Sequence, residues 1–396
     1  MAKLALCIGA EIENTGYEFL MTRIRVFSFE EAQYHCFRYW RQSFGEFLSN
    51  EFLEWVGVQL ELAQLASELR KIDASAPLFA RLSEFLTLGG YVCAEDLVQL
   101  EQEVSLWESR TLWEKYKERG DFWAAEGDYE RAIVLYDRGL ECDENVQLFN
   151  NAGVASLHLR RYENAANYFR KALALSEYEN DTQEQIRINL IEALVIGGDH
   201  QAAITEIAQA MKIAPEDPKL LYFMAEIDFQ SKNYSMAIST LDRACEKNYD
   251  PRFIYRLTDC YVKIRQYDKA LEVLDRIKIK DTVFLRHQAA VLAASNNLPQ
   301  AIKSIEKALV SNSGSTMLWA QLAQYHRQDY DLTRADSAIT KAVSLAPNNP
   351  HALLEQARIR KALGHTKDYQ TILTRVLGSF KSGYREIAEM IASSHG

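Results

Sequence analysis

The sequence lacks most features that mark a membrane protein, a secreted scaffold or a disordered chain. Its 396 residues include only 7 prolines and 17 glycines, which is too few for a turn-dense β fold or a largely disordered chain. No run of about 18 apolar residues occurs, so no transmembrane helix is expected. The apolar stretch before Cys7 is far shorter than the core of a signal peptide, roughly 7–15 residues. We therefore predict a folded protein of the cytoplasm.

Motifs for catalysis, metal binding and cofactor binding are also missing. The cysteines form no CxxC pair, and none of the eight histidines stands in a metal-ligand spacing such as HExxH. Cysteines of this kind are typical of small buried residues in a reducing compartment. The glycine pairs at 89–90 and 197–198 do not form a phosphate loop, and they favour helix termination. The sequence predicts no enzyme, no metal and no cofactor.

Charge is distributed unevenly along the chain. The first 250 residues carry −18, whereas residues 251–396 hold 21 Lys and Arg against 13 Asp and Glu and carry +8. Two interpretations stay open for the basic third, namely solvated helix faces or a surface that attracts acidic partners. Nucleic-acid binding would need a basic stripe with stacking aromatics, which we do not find. We expect neither a nucleic-acid nor a membrane partner.

A repeated pattern begins after residue 110. An alanine recurs at intervals of 31 to 38 residues, with a large apolar residue four positions later and mostly a small residue seven positions later. A period of this length predicts stacked supersecondary units that bury a continuous core. The alanines are Ala132, Ala165, Ala203, Ala237, Ala270, Ala301 and Ala335, and the large residues are Tyr136, Phe169, Ile207, Leu241, Leu274, Ile305 and Ile339.

This pattern resembles the tetratricopeptide repeat (TPR), whose period is about 34 residues. Residues 318–350 match it best, with Trp319, Leu322, Ala323, Ala335, Ala342 and Pro347 in place. The resemblance implies an all-α fold, a right-handed TPR superhelix built as an α-solenoid of antiparallel helix pairs. We predict seven TPR units in residues 111–350, then a degenerate eighth repeat and a capping helix in 351–396. The 31-residue interval predicts a trimmed turn around residues 278–281.

No repeat is visible in residues 1–110, which we predict to form a mainly helical N-terminal domain. Residues 3–9 and 22–29 read as two short strands that could pair. Ser28 and Glu31 form a capping box that opens a helix. Apolar spacing in residues 50–72 indicates one long amphipathic helix. Five of the six tryptophans lie by residue 123, and they either pack this domain on the first repeat or present an aromatic patch to a partner.

The resemblance to TPR proteins also implies a binding groove lined by the first helix of each repeat. Asparagine amides there could donate to and accept from an extended peptide backbone, and the arginines form a candidate anion anchor. The predicted groove residues are Lys117, Asn150, Asn151, Asn189, Tyr222, Phe229, Arg252, Tyr255, Arg256 and Arg286.

Chaperone-binding TPR domains use a carboxylate clamp, which this sequence matches in part. Lys117 and Asn151 fit the clamp, but Asp121 replaces its first asparagine, while Gln185 and Asn189 replace its two cations. The pattern therefore argues against clamp-type binding at this end of the repeat array.

Two functions lead, both with a protein or peptide ligand of unspecified identity, and a third, weaker alternative is an enzyme accessory subunit or a transferase whose catalytic part was lost or sits on another chain. The first is a non-enzymatic scaffold or adaptor that binds a protein or extended peptide in its groove. The alternative is a peptide-sensing signalling regulator, because a helical N-terminal domain followed by about seven TPRs resembles Rap-type regulators of Gram-positive bacteria. In that reading, peptide binding in the groove is coupled to the N-terminal helices.

Overall fold

The structure is a computed structural model that describes residues 16–88, 92–176 and 181–379. These residues form 22 α-helices and one two-stranded sheet, so the predicted all-α fold is confirmed. The chain divides between Ala193 and Leu194 into two compact units, which we call the N-terminal unit and the C-terminal unit. None of the described helices is long and apolar enough to cross a membrane.

The helices of the N-terminal unit are mostly short before residue 94 and longer after it. They are α1 (Phe29–Arg38), α2 (Trp40–Ser43), α3 (Asn50–Glu54), α4 (Ala63–Leu69), α5 (Leu78–Leu88), α6 (Ala94–Glu108), α7 (Leu112–Ala125), α8 (Tyr129–Cys142), α9 (Val146–His158), α10 (Tyr162–Leu175) and α11 (Asp181–Gly197), the last of which continues past the division.

The C-terminal unit continues with regular helix pairs. Its helices are α12 (His200–Ala210), α13 (Pro218–Gln230), α14 (Tyr234–Lys247), α15 (Pro251–Lys263), α16 (Tyr267–Leu274), α17 (Thr282–Ala294), α18 (Leu298–Ser311), α19 (Thr316–Gln328), α20 (Leu332–Leu345), α21 (Pro350–Ala362) and α22 (Thr366–Ser379). The predicted capping helix beyond α22 lies outside the described residues.

The sheet pairs strand β1 (Tyr17–Glu18) with strand β2 (Arg25–Val26) in antiparallel register. Strand β2 lies inside the predicted segment 22–29, whereas the predicted segment 3–9 lies outside the described residues. Helix α1 then begins as predicted, because the Ser28 side chain accepts a hydrogen bond from the Glu31 amide. The Glu31 carboxylate accepts from the amide of Phe27, one residue before the cap.

The prediction of a single helix over residues 50–72 was wrong. Helix α3 ends at Glu54 and passes into a π-helical turn, Trp55–Gln59. Glu61 then takes a left-handed conformation, with φ 57°, before α4 begins. The bend brings Gly57 against Ala66, where an added Cβ would lie 3.1 Å from the Ala66 Cβ. The apolar spacing continues across the π-helical turn, so spacing alone predicted one helix where the structure has two.

The early tryptophans build a core, as one of their two interpretations predicted. Trp40, Trp55 and Trp107 are buried in one cluster with the phenylalanines of α1, α3 and α5. This region also packs on the first repeat, since the Tyr39 and Phe122 rings meet edge to face at 5.8 Å.

The repeat anchors behave as their spacing predicts. All seven recurring alanines are 0% exposed, and the large residues four positions later are at most 2% exposed. The Phe169 ring packs on Gly153 in the first helix of its own repeat, where an added Cβ would lie 2.5 Å from the ring. Buried small and large residues of this kind let the two helices of a repeat approach closely.

The turns between the first and second helix of each repeat share one backbone conformation. Each turn contains a single left-handed residue, and the next amide donates to the carbonyl five residues earlier. This bond closes a Schellman-type helix end. The eighth pair, α21 and α22, keeps it although it lacks the alanine anchors. The left-handed residues are Gly127, Arg160, Gly198, Lys232, Arg265, Asn296, Tyr330 and Gly364.

The shortened fifth repeat differs from its prediction. The residues are missing from the second helix, since α16 has 8 residues whereas α14 and α18 have 14 each. Ile277 lies beyond the end of α16 and is still buried, at 3% exposure. Ile277 therefore fills its core position although the helix ends before it.

Candidate functional site

A row of polar side chains crosses the first helices α7, α9 and α11 of the N-terminal unit. Asn151 Nδ2 donates to Asp121 Oδ1 at 2.9 Å, and Asn150 Nδ2 donates to Asn151 Oδ1 at 3.4 Å. Asn189 Nδ2 donates to Asn150 Oδ1 at 3.3 Å, and Gln185 Nε2 donates to Asn189 Oδ1 at 2.9 Å. Hydrogen bonds therefore run unbroken over three repeats. We call this set the amide row; it comprises Lys117, Asp121, Asn150, Asn151, Gln185 and Asn189.

Asp121 fixes one end of the amide row. Lys117 Nζ lies 2.8 Å from Asp121 Oδ2, one helical turn away on α7. The Tyr136 hydroxyl donates to Asp121 Oδ1 at 2.9 Å. Burial, followed by the Asp121 carboxylate, raises the pKa of Tyr136 well above its ordinary value. Asp121 thus accepts hydrogen bonds from side chains of three helices, α7, α8 and α9, and it forms an ion pair with Lys117.

The first helices of the C-terminal unit carry ion pairs where the N-terminal unit carries amides. Arg256 Nε donates to Glu226 Oε2 at 2.7 Å, and its Nη1 donates to Asp259 Oδ2 at 3.3 Å. The Arg256 guanidinium also lies over the Phe229 ring, 4.5 Å from its centroid. The Glu226 side chain is only 12% exposed, so this pair is largely withdrawn from solvent. We call Glu226, Phe229, Arg256 and Asp259 the charged cluster.

The cluster extends to α17 through His287. Its Nδ1 lies 3.7 Å from Asp259 Oδ1, and its ring stacks on Tyr255 with centroids 4.3 Å apart. Arg286 Nη2 lies 3.2 Å from His287 Nε2. His287 therefore contacts two of the predicted groove residues, Tyr255 and Arg286.

Arg252 lies at the exposed start of α15. Its Nη2 donates to Asp250 Oδ2 at 2.7 Å, and Asp250 also caps the helix. The Arg252 guanidinium lies 5.9 Å from the centroid of the Tyr222 ring. Of the three arginines predicted as one anion anchor, Arg252 and Arg256 are each paired with carboxylates of the chain.

Arg286 instead faces a cleft of about 380 Å³ between α17, α19 and α21. We call it the C-terminal cleft. Gln321 and Gln324 line it from α19, and Glu355 and Arg358 line it from α21. The Glu355 side chain is only 5% exposed, with Arg358 Nη1 at 3.0 Å from its Oε2. Arg327 Nε lies 2.6 Å from its Oε1, so the carboxylate is held by two guanidinium groups.

Sequence reasoning missed Glu355 and Arg358 because it treated the eighth repeat as degenerate. A signal was nevertheless present. Glu355 directly follows two leucines, Leu353 and Leu354, and a carboxylate beside apolar positions that become buried requires a partner. Arg358, three residues later, stands one helical turn away.

The described residues offer little for catalysis. They contain no group of three or more His, Cys, Asp and Glu side chains that could hold a metal ion. The thiols of the described cysteines are free. Burial raises the pKa of Cys245 to about 11 and that of Cys260 to about 12, which leaves both as unreactive thiols at neutral pH.

Two segments of the chain match family models described as tetratricopeptide repeat, at residues 116–180 and 194–253. The first match spans most of α7 to α10, and the second spans α12 to α14 with their neighbouring helix ends. No curated protein sequence matches the chain significantly. Proteins built from such repeats generally mediate protein–protein interactions.

Solved structures support the same fold. A tetratricopeptide repeat protein from Parabacteroides merdae is 17% identical, with a TM-score of 0.51; the match covers 62% of this chain and 98% of the other. Yeast Tom70 is 14% identical, with a TM-score of 0.56; the match covers 92% of this chain and 88% of the other. At these identities the likeness concerns the fold alone.

Proposed function

Since the chain is a tetratricopeptide-repeat protein, we propose that it is a non-enzymatic scaffold or adaptor that binds a partner through an extended peptide segment. The segment lies in a groove along the first helices of the repeats. The amide row is the observation that carries this proposal, because it offers hydrogen bonds to a backbone of any sequence.

The amide row is held in position before any ligand arrives. Asn150, Asn151 and Asn189 are half-buried, and each uses one amide N–H and one oxygen lone pair within the row. A side-chain amide has two donors and two acceptor sites, so Asn150 and Asn189 can each still donate and accept once. Pre-organised groups lose little conformational entropy on binding.

The spacing of the row suits an extended chain. Neighbouring helices pack about 8–10 Å apart, and an extended peptide rises about 3.3 Å per residue. About every third peptide residue would therefore lie over a new first helix. Each peptide residue presents one backbone donor and one acceptor, which matches the spare capacity of one asparagine.

The absence of motifs for catalysis in the sequence agrees with a non-enzymatic role. Cytoplasmic localisation stays a prediction from the sequence. The matches found among known proteins do not favour the peptide-sensing regulator over a general scaffold.

We test the proposal with a phage-displayed library of random peptides of about 24 residues, long enough to lie over seven first helices at about three residues each, selected on the full chain. Selected peptides are labelled with rhodamine, and their affinity is measured by fluorescence anisotropy. The Asn150→Ala/Asn189→Ala variant should bind them about tenfold to thirtyfold more weakly, because two hydrogen bonds of about 1 kcal/mol each are lost.

The matched control is Asn164→Ala/Asn167→Ala, which removes two exposed asparagines from the second helix α10. It should bind like the wild type, and circular dichroism should show both variants folded. Equal weakening by both double variants would contradict the proposal, and so would a selection that enriches no binding peptide.

A further inference from the structure

The C-terminal cleft has a chemistry that the amide row lacks. Arg286 enters it from α17, and Arg358 enters it from α21, two repeats later in sequence. Its other lining residues include the amides Gln321 and Gln324 and the exposed side chain of Met317. A bound group would therefore meet two guanidinium groups, two amides and a small apolar wall.

Positive charge is in excess in this cleft. Glu355 is the one carboxylate among its lining residues, and it is already shared between Arg327 and Arg358. Arg286 contacts the His287 ring through Nη2, and it forms no ion pair with a carboxylate of the described residues. The described groups thus leave about one uncompensated guanidinium facing the cleft and a second that is only partly compensated.

The surrounding backbone favours an anion as well. Asn349 caps α21 by accepting from the Ala352 amide, and no acidic residue stands in the first turn of that helix. The N-terminus of a helix carries a partial positive charge, which favours nearby anions. This contribution adds to the arginines and does not define the site by itself.

We propose that the C-terminal cleft binds the carboxylate of an acidic side chain in the partner peptide. Arg286 and Arg358 are its anion-binding groups, and buried Glu355 holds Arg358 in position. Guanidinium groups suit a carboxylate because their N–H groups can donate to both of its oxygens. This proposal rests on the proposed function, since it names the side chain that a groove-bound peptide would place here.

A single carboxylate fits this cleft better than a doubly charged phosphate. Arg358 already shares its charge with Glu355, so Arg286 is the one lining guanidinium that no carboxylate of the described residues pairs with. The site also differs in place from the clamp pattern considered for the first repeats, because its arginines come from α17 and α21, whereas that pattern was sought on α7, α9 and α11.

The test uses the rhodamine-labelled peptides selected on the full chain. In each peptide, every Asp or Glu is replaced in turn by Asn or Gln, and a separate version carries an amidated C-terminus. One Glu→Gln change should weaken binding to the wild type roughly tenfold or more, because a charge-assisted hydrogen bond is lost. Amidation should change nothing.

The same peptide pairs are then measured on Arg286→Gln/Arg358→Gln. The preference for the acidic peptide should fall below about twofold, since the groups that recognise the charge are gone. The control Arg243→Gln/Arg334→Gln removes two exposed arginines from the second helices α14 and α20, and it should keep the full preference. If Arg286→Gln/Arg358→Gln unfolds, Arg286→Lys/Arg358→Lys replaces it and should show a reduced preference.

Three results would overturn the cleft assignment. One is an acid preference that persists in the arginine variants, and a second is a loss on amidation, which would assign the anion to the peptide terminus. The third is tight binding without any acid preference, and there the amide-row variants would still show whether the proposed function stands. A selection that yields no peptide would overturn both proposals together.

Discussion

The N-terminal and C-terminal units build their first helices in the same way but place different polar groups on them. In the N-terminal unit, neutral amides of α9 and α11 bond to each other, and one ion pair lies at the end of the row. In the C-terminal unit, Arg256 and Glu226 form a largely buried ion pair, and Glu355 holds two arginines.

The difference shows which positions the repeat fixes and which it leaves free. The anchor alanines are fully buried in both units, so the packing of helix pairs does not depend on the first-helix face. Neutral hydrogen bonds are little affected by salt, whereas charge pairs are screened according to their exposure. The two units should therefore respond differently to acid, to charge removal and to overpacking.

Acid should have the largest effect, and it should act through the N-terminal unit. His35 is 2% exposed and stacks on Phe19, and its Nε2 lies 2.7 Å from Thr22 Oγ1. Burial lowers its pKa to about 4 from the ordinary 6.5. As the pH falls, the unfolded chain takes up a proton on this histidine before the folded protein does. The free energy of unfolding should therefore fall by about 3 kcal/mol between pH 6.5 and pH 4 because of His35.

The measurement is urea unfolding at pH 7, 5.5 and 4, compared between wild type and His35→Gln. The variant starts less stable but should lose about 3 kcal/mol less across this range. His326→Gln is the control in the C-terminal unit, because burial lowers the pKa of His326 while Asp331 opposes the shift. Identical pH slopes for wild type and His35→Gln would contradict the prediction.

Overpacking beneath the amide row comes next. In Gly153→Ala the new Cβ would lie 2.5 Å from the ring of Phe169, which is 0% exposed. We expect the unfolding free energy to fall by about 2–3 kcal/mol. Peptide binding should weaken too, because the same helix α9 carries Asn150 and Asn151.

Gly45→Ala is the matched control, since nothing lies within 4 Å of an added Cβ there. Adding Phe169→Leu to Gly153→Ala should restore part of the loss by making room for the methyl group. Equal stability of Gly153→Ala and Gly45→Ala in thermal melts would contradict the close packing of α9 against α10.

Removing one carboxylate from the first helices of each unit compares the polar side chains of the two units directly. Glu226→Gln leaves the part-buried Arg256 with Asp259 alone, and it should cost about 1–2 kcal/mol. Asp121→Asn keeps an oxygen for Tyr136 and Asn151 and loses the more exposed pair with Lys117, which should cost less than about 1 kcal/mol. Urea unfolding at 50 and 500 mM KCl checks both, and equal losses would remove the distinction between the faces.

Local packing rules predicted the repeats well. The spacing of Ala132, Ala165 and their successors predicted buried positions, because a helix pair needs small residues wherever it approaches closely. The Ser28 cap followed from one side chain and the turn next to it. Residue types on the first helices also identified the asparagines and arginines as candidates for the face.

Contacts between distant parts of the chain could not be predicted in the same way. Arg256 donates a hydrogen bond to Glu226, 30 residues earlier. The sequence does not reveal that Arg256, predicted to bind an anion of the partner, is already paired with a carboxylate of the chain. The break between α3 and α4 brings Gly57 against Ala66, a contact that apolar spacing does not indicate. Arg358 was missed because its repeat lacks the alanines, although the turn at Gly364 keeps the shared backbone conformation.

That shared turn predicts the smallest effect, and one that should be equal in both units. Arg160 in the N-terminal unit and Tyr330 in the C-terminal unit are exposed and have φ values of 58° and 62°. A left-handed conformation costs an ordinary residue about 1–2 kcal/mol. Glycine avoids this cost, but its larger conformational entropy in the unfolded state offsets about half of the gain in stability. Arg160→Gly and Tyr330→Gly should each stabilise the chain by about 0.5–1 kcal/mol in thermal melts. Gly198→Ala, at φ 83° in open space, should have the opposite sign. A gain in one unit alone would mean that the turns, like the faces, differ between the two units.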